Sequence, residues 1–113
     1  AQVSLRIVIT APAQMEIAEA VKYYEEQRPS AGVKFWIEFK QLAKRLKTFP
    51  ELYSRFEKPG IRKAPMHNYP HAVYYRIVGD ELRIPGVVHG AKNPETVKGR
   101  FGKSSSGYRV ENS

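Results

Sequence analysis

No cysteine occurs in the 113 residues. That excludes a disulfide framework and any thiolate-bound metal. It fits a reducing compartment, and a cytoplasmic protein is expected. No apolar stretch approaches the roughly 20 residues of a membrane span, so no membrane partner is expected. The opening AQVSLRIVIT has too short an apolar part for a secretory signal and reads as a strand. Phosphate loops are also missing: GAKNPETVKGRFG has glycines but neither the dinucleotide-binding nor the P-loop spacing. No serine sits in a nucleophile elbow. His67, His71 and His89 are not at metal-ligand spacing with a carboxylate cluster. Neither a metal nor a cofactor is expected.

What is abundant is positive charge. The chain carries a net +8 and a pI near 9.8. Ala1–Val33 has three Lys/Arg against four Glu, Lys34–Lys63 has nine against three acidic residues, and Ala64–Ser113 has seven against four. A basic body of this size favours a polyanionic or acidic partner: nucleic acid, the ribosome or an acidic protein. The length suits one domain, since domains commonly run ~100–150 residues. The expected domain is 1–100, followed by a flexible C-terminal tail over 101–113, where GKSSSG is small and polar.

LRIVIT alternates as a strand over Leu5–Thr10. Thr10 suits a helix N-cap and Pro12 a first turn. A helix is predicted over Pro12–Gln27, with Ile17, Ala20, Val21 and Tyr24 at helical spacing. RPSAG breaks it. A second helix is predicted over Gly32–Thr48, with Phe35, Phe39, Leu42, Leu46 and Phe49 as one apolar stripe and lysines on the outer faces. Pro50 ends it. Leu52–Glu57 is a weak strand candidate. Ile61–Met66, Val73–Val78 and Leu82–Val88 read as strands, and Asn93-Pro94-Glu95 as the cap and start of a short helix. The order is β-α-α-β-β-β plus a short helix. The fold class is α+β: a helical hairpin packed on a mostly antiparallel four-stranded sheet, whose other face is left open to work.

A two-residue turn at Gly79-Asp80 would set Ile77 against Leu82, Tyr75 against Ile84 and Val73 against Gly86 on the core face. The other face would hold Arg76 opposite Arg83, Tyr74 opposite Pro85, Ala72 opposite Val87, and His89. Like charges directly opposite are unfavourable, so folding alone does not explain the arginine pair. Pro85 has no N–H for the ladder. Either a bulge near Pro85-Gly86 or a turn longer than two residues would resolve that, and a bulge would decide the face of His89.

His89 could serve as a general base toward a ribose hydroxyl, or be a strand-end histidine bonded to a carbonyl. Arg62, Lys63, Arg76 and Arg83 could stabilise a phosphorane, form a solvated strand face, or dock acidic side chains. Tyr23 and Tyr24 cannot both face the core, nor can Tyr74 and Tyr75 under the same scheme; the outward one of each pair would mark an interface or lie under a lysine stem. Glu25 and Glu26 are expected in solvent.

The ordered set of pieces resembles the RelE/ParE toxin superfamily, above all its ParE-like branch. The pieces are Tyr23-Tyr24 and Gln27-Arg28-Pro29, Gly32 and Phe35, Phe49-Pro50, and Gly60-x-Arg62. They continue with Tyr69-Pro70 before Tyr74-Tyr75-Arg76, and Val88-His89-Gly90 before Asn93-Pro94. The resemblance implies a plasmid-stabilisation-type toxin of a type II toxin–antitoxin pair, neutralised by a cognate antitoxin protein that wraps it with an amphipathic helix or strand. The RelE-like branch cuts mRNA on the ribosome; the ParE-like branch poisons DNA gyrase. The cutting enzymes tend to carry further basic and aromatic residues after the last strand, where this chain has Gly90, Ala91, Lys92 and Asn93. Gyrase is therefore the expected target, bound through Arg62, Lys63, Arg76, Arg83, His89 and Lys92. The antitoxin is expected on Tyr23, Tyr24 and Tyr74. The alternatives are an mRNA endonuclease with His89 as base and Arg62 or Arg76 on the phosphate, and an inactive homologue that only binds.

Overall fold

The computed structural model describes residues 5–55, 60–92 and 94–102. Strand β1 (Arg6–Ile9) leads into helix α1 (Ala11–Gln27) and helix α2 (Ala31–Thr48). Strands β2 (Arg62–Pro65), β3 (His71–Val78) and β4 (Glu81–His89) follow. A one-turn helix α3 (Pro94–Val97) continues as a wider helical turn over Lys98–Gly102. The sheet order is β1-β4-β3-β2, with β1 parallel to β4 and the other pairs antiparallel.

Local chemistry accounts for the helix ends. The Thr10 hydroxyl accepts the Ala13 N–H at 3.3 Å, and Pro12 sits in the first turn. Ser30 takes a left-handed φ of 74° and supplies no side-chain cap to α2. Glu25 does that work from α1: its carboxylate accepts the N–H of Ser30 and of Gly32, both at 2.9 Å. The expectation that Glu25 is merely solvated is thus corrected, because the tight inter-helix turn brings unpaired amides to it. Arg45 and Lys47 sit in the last turn of α2, where positive charge suits the helix dipole.

One face of the sheet lies under the hairpin. Phe35, Phe39, Leu42 and Leu46 of α2 and Ile17 and Ala20 of α1 pack against Ala64, Val73, Tyr75, Leu82, Ile84 and Val87. The other face was expected to be open, and in part it is not. Val97 and Phe101 cover Ile61, Ala72, Tyr74 and Val88 there, in a second apolar cluster. Phe101, assigned to the tail from sequence, is 3% exposed; the tail from residue 103 onward lies outside the described residues, as does the expected cap Asn93. Of the weak strand over Leu52–Glu57, Arg55 forms a single bridge to Arg62, and residues 56–57 are outside the described set.

Candidate functional site

The β3–β4 hairpin begins as the sequence implies. Gly79 takes the positive φ of 62° that the first position of a two-residue hairpin turn asks for. Val78 then pairs with Glu81, Ile77 with Leu82, and Arg76 with Arg83. The next pair is Tyr74 with Gly86, so Tyr75 alone spans the stretch that Ile84 and Pro85 span on β4. This is a bulge at the proline, where the ladder loses a donor anyway. Past it every β4 side chain changes face. Val73 pairs with Val87, Ala72 with Val88 and His71 with His89. The expected pairs Tyr75–Ile84, Val73–Gly86, Tyr74–Pro85 and Ala72–Val87 are corrected accordingly. His89 shares the helix side with Val73 and Val87, not the side of Arg76 and Arg83.

Two side chains from elsewhere stabilise the bulge. Strand β1 stops at Ile9, and the Thr10 N–H makes the last bond to the Ile84 carbonyl at 3.1 Å. Beyond that point β4 outlasts its neighbour. The Val87 N–H donates to Glu16 Oε1 at 2.9 Å. Arg100 donates to both Glu16 oxygens, at 2.6 and 3.2 Å, and to the Pro85 carbonyl at 2.9 Å. A carboxylate from α1 and a guanidinium from the C-terminal turn replace the missing strand.

His89 lines a cleft on the helix side with Glu16, Tyr23, Tyr24, His71 and Lys92. Its Nδ1 accepts the Ala91 N–H at 2.9 Å. The neutral ring then carries its proton on Nε2, so its one acceptor nitrogen is engaged. His71 is 9% exposed, with its ring centroid 5.0 Å from those of Phe35 and His89 and 6.2 Å from that of Tyr24. Its Nδ1 has no hydrogen-bond partner among the described residues. Burial, with a smaller push from His89 and against the pull of Glu16, lowers its pKa to about 4. Burial also raises the Tyr24 hydroxyl, with Tyr23 and Tyr69 adding to it.

The arginines lie elsewhere. Arg62 is opposite Tyr75 on the helix side, and its guanidinium donates to the Tyr53 carbonyl at 2.6 Å. Lys63 is opposite the buried Tyr74, on the second face. Arg76 and Arg83 share that face beyond the part covered by Phe101. Their like-charge pairing is eased by Glu81, which accepts from Arg83 and from Arg6, each at 2.7 Å. The Arg83 hydrogen bond, with the charges of Arg83 and Arg6, holds the Glu81 carboxyl below its usual range.

Of the expected interface tyrosines, Tyr23 is exposed and Tyr24 half-buried, whereas Tyr74 is 3% exposed and stacked on Phe101 at 4.5 Å. Tyr74 and Tyr75 are both buried because β3 is covered on both sides. The expectation that one of them faces solvent is overturned, and Tyr74 is not available to a partner in this conformation. His67 lies on the far flank. Burial pushes the Glu38 carboxyl there upward, but the amides of Asn68 and His67 that it accepts outweigh this and hold it low.

A helical hairpin on a small mixed sheet is a fold that solved structures share. One solved structure, described as the chromosomal ParDE TA system from P. aeruginosa, aligns with a TM-score of 0.68 at 19% identity, covering 78% of this chain and 98% of that one. The YoeB dimer from Staphylococcus aureus aligns with a TM-score of 0.55 at 15% identity, covering 76% and 97%. At these identities the likeness is one of fold. No curated relative matches the sequence. The family model for the ParE toxin of type II toxin–antitoxin systems, parDE, matches residues 7–94. The chain belongs to the ParE toxin family.

Proposed function

We propose that this chain is the growth-inhibiting member of a toxin–antitoxin pair and acts by binding its target, not by cutting RNA. DNA gyrase is the target that the ParE-like resemblance implies, a cognate antitoxin neutralises the chain, and both encounters take place in the cytoplasm. What supports the binding reading is the scatter of His89, Arg62 and Arg76, the three residues expected to form a nuclease site. RNA cleavage by 2′-OH attack wants a base and a phosphate-stabilising cation around one reacting phosphate. His89 is on the helix side, while Arg76 is on the other face. Arg62 shares the side of His89 but lies four rows away along β3, about 13 Å at ~3.3 Å per residue, and already serves Tyr53.

Arg76 and Arg83, on the part of the second face not covered by Phe101, are the residues assigned to the target, with Lys63 at its margin. Tyr23, Tyr24, His89 and Lys92 around the cleft suit an antitoxin segment. The test uses purified protein with gyrase, ATP and supercoiled plasmid, and in parallel with translating ribosomes and mRNA. Linear DNA trapped by gyrase, with intact mRNA, supports the reading. Ribosome-dependent cuts lost in His89→Ala support the endonuclease alternative. No effect in either assay, and none on growth, leaves a homologue that only binds.

A further inference from the structure

A second cleft lies at the turn between α1 and α2. It is lined by Arg28, Pro29 and Lys34 from that turn and by Tyr24, Asn68 and Tyr69. Its volume is about 320 Å³, at the low end of the roughly 300–1,000 Å³ of small-molecule sites. The ring centroids of Tyr24 and Tyr69 are 4.9 Å apart, and they lie 5.7 and 4.9 Å from that of the fully buried Phe35. The aromatic wall is therefore continuous with the core and held in place by it. The Arg28 backbone is fixed as well: its N–H donates to the Tyr24 carbonyl and its carbonyl accepts the Ala31 N–H, each at 3.1 Å.

The charge in this lining is of one sign. Arg28 and Lys34 face no carboxylate within it, and neither has an ion-pair partner among the described residues. Glu25 is occupied by the Ser30 and Gly32 amides, and Glu38 by the amides of His67 and Asn68 and the Asn68 side chain. Glu26 lines another groove, with Val21 and Trp36. Arg28 alone is explained by the C-terminal end of α1, where a cation suits the helix dipole. Lys34 is not, because it is the fourth residue of α2, at the end where the dipole favours an acid. Helix stability does not account for the pair. The amides of that helix end are already committed, Ser30 and Gly32 to Glu25, Ala31 to Arg28 and Lys34 to Ser30, so side chains would hold an anion here. The Tyr24 and Tyr69 hydroxyls make no hydrogen bond to another described residue, and burial, with Tyr23 and Tyr69, keeps the Tyr24 hydroxyl in its protonated, donating form.

We infer that this cleft, with Arg28 and Lys34 beside Tyr24 and Tyr69, binds a small-molecule phosphate monoester. The guanidinium fork suits two phosphate oxygens, the ammonium adds a second positive charge, and a tyrosine hydroxyl takes a third oxygen. The organic part of the ligand packs on the tyrosine rings. A carboxylate is the poorer occupant, since it brings one negative charge against two cations, whereas a phosphate monoester carries about −1.5 to −2 near neutral pH. Tyr24 borders the histidine cleft too, but Arg28, Lys34 and Tyr69 are not part of it. The inference can therefore fail without touching the gyrase reading, and the gyrase reading can fail without touching it.

The test titrates the purified protein, at neutral pH and constant ionic strength, with AMP, glycerol phosphate and inorganic phosphate, followed by NMR of the backbone amides and tyrosine rings. At least one monoester should bind saturably and roughly tenfold or more tightly than inorganic phosphate, because only it places an organic group on the rings. The shifts should centre on Arg28, Lys34, Tyr24 and Tyr69. Preference for AMP assigns an aromatic carrier of the phosphate, and preference for glycerol phosphate a non-aromatic one. Arg28→Gln/Lys34→Gln should weaken binding by at least roughly tenfold. Lys40→Gln/Lys44→Gln, which removes the same charge from exposed positions further along α2, should leave it unchanged, with circular dichroism confirming that both variants fold. Three results overturn the inference: no saturable binding of either monoester, inorganic phosphate binding as tightly as both, or equal binding by the two double variants.

Discussion

His71 and His89 stand directly opposite each other on β3 and β4, on the helix side of the sheet, with ring centroids 5.0 Å apart. The bulge at Pro85 puts them there. It separates the histidines from the arginine pair and gives the molecule two chemically distinct faces.

The first consequence concerns pH. His71 titrates near 4 when folded, against about 6.5 in an unfolded chain. Between those values the unfolded chain binds more protons. The stability contributed by the neutral, buried ring is therefore fully present above pH 6.5 and is lost as the pH falls toward 4. Urea unfolding at pH 7.5, 6.0 and 4.5 should show a loss of roughly 2 kcal/mol across that window. His71→Phe, which removes the unpartnered nitrogen, should flatten the slope. A slope unchanged in the variant would assign it to other groups.

Glu16 holds the bulge from one side. Glu16→Ala should cost about 2 kcal/mol, since it strands both the Val87 amide and Arg100. Glu16→Gln, which keeps an acceptor for Val87, should cost about half as much. Amide exchange at Val87, measured by NMR, should accelerate in the alanine variant while Leu82 stays protected.

Gly86 and Phe101 form a matched pair. A Cβ on Gly86 would stand 2.4 Å from the Phe101 ring tip, so the missing side chain is what lets the ring lie on the sheet. Phe101→Ala should destabilise by about 3 kcal/mol, and Gly86→Ala by about 1–2 kcal/mol. The double variant should cost clearly less than the sum, because the two changes disturb the same contact. Additive costs in thermal melts would show that the contact is not shared.

The elements and the first half of the hairpin were legible because they depend on local signals. Thr10 and Pro12 start α1, the Phe35–Phe39–Leu42–Leu46 stripe buries α2, and Gly79-Asp80 fixes the register as far as Arg76–Arg83. Pro85 also signalled an irregularity, either a bulge or a longer turn, and the bulge is what forms. The side of His89 was not legible, because it depends on which strand takes the extra residue, and Glu16 and Arg100 influence that from 71 and 15 residues away in sequence. The burial of Tyr74 was missed for a similar reason: Phe101 sits in a stretch that reads as tail. The cleft of Arg28 and Lys34 was not legible either, because Tyr69 reaches it from a distant part of the chain.

We propose that the chain acts through the Arg76–Arg83 face and not through chemistry at His89. The direct measurement is growth after induction of three versions in the same host without antitoxin: the wild-type chain, His89→Ala, and Arg76→Ala/Arg83→Ala, with equal soluble protein confirmed. Removing one like-charged pair should leave stability within about 0.5 kcal/mol. Arrest is expected with the wild type and with His89→Ala, and growth with the double arginine variant. Growth with His89→Ala and arrest by the arginine variant would contradict it.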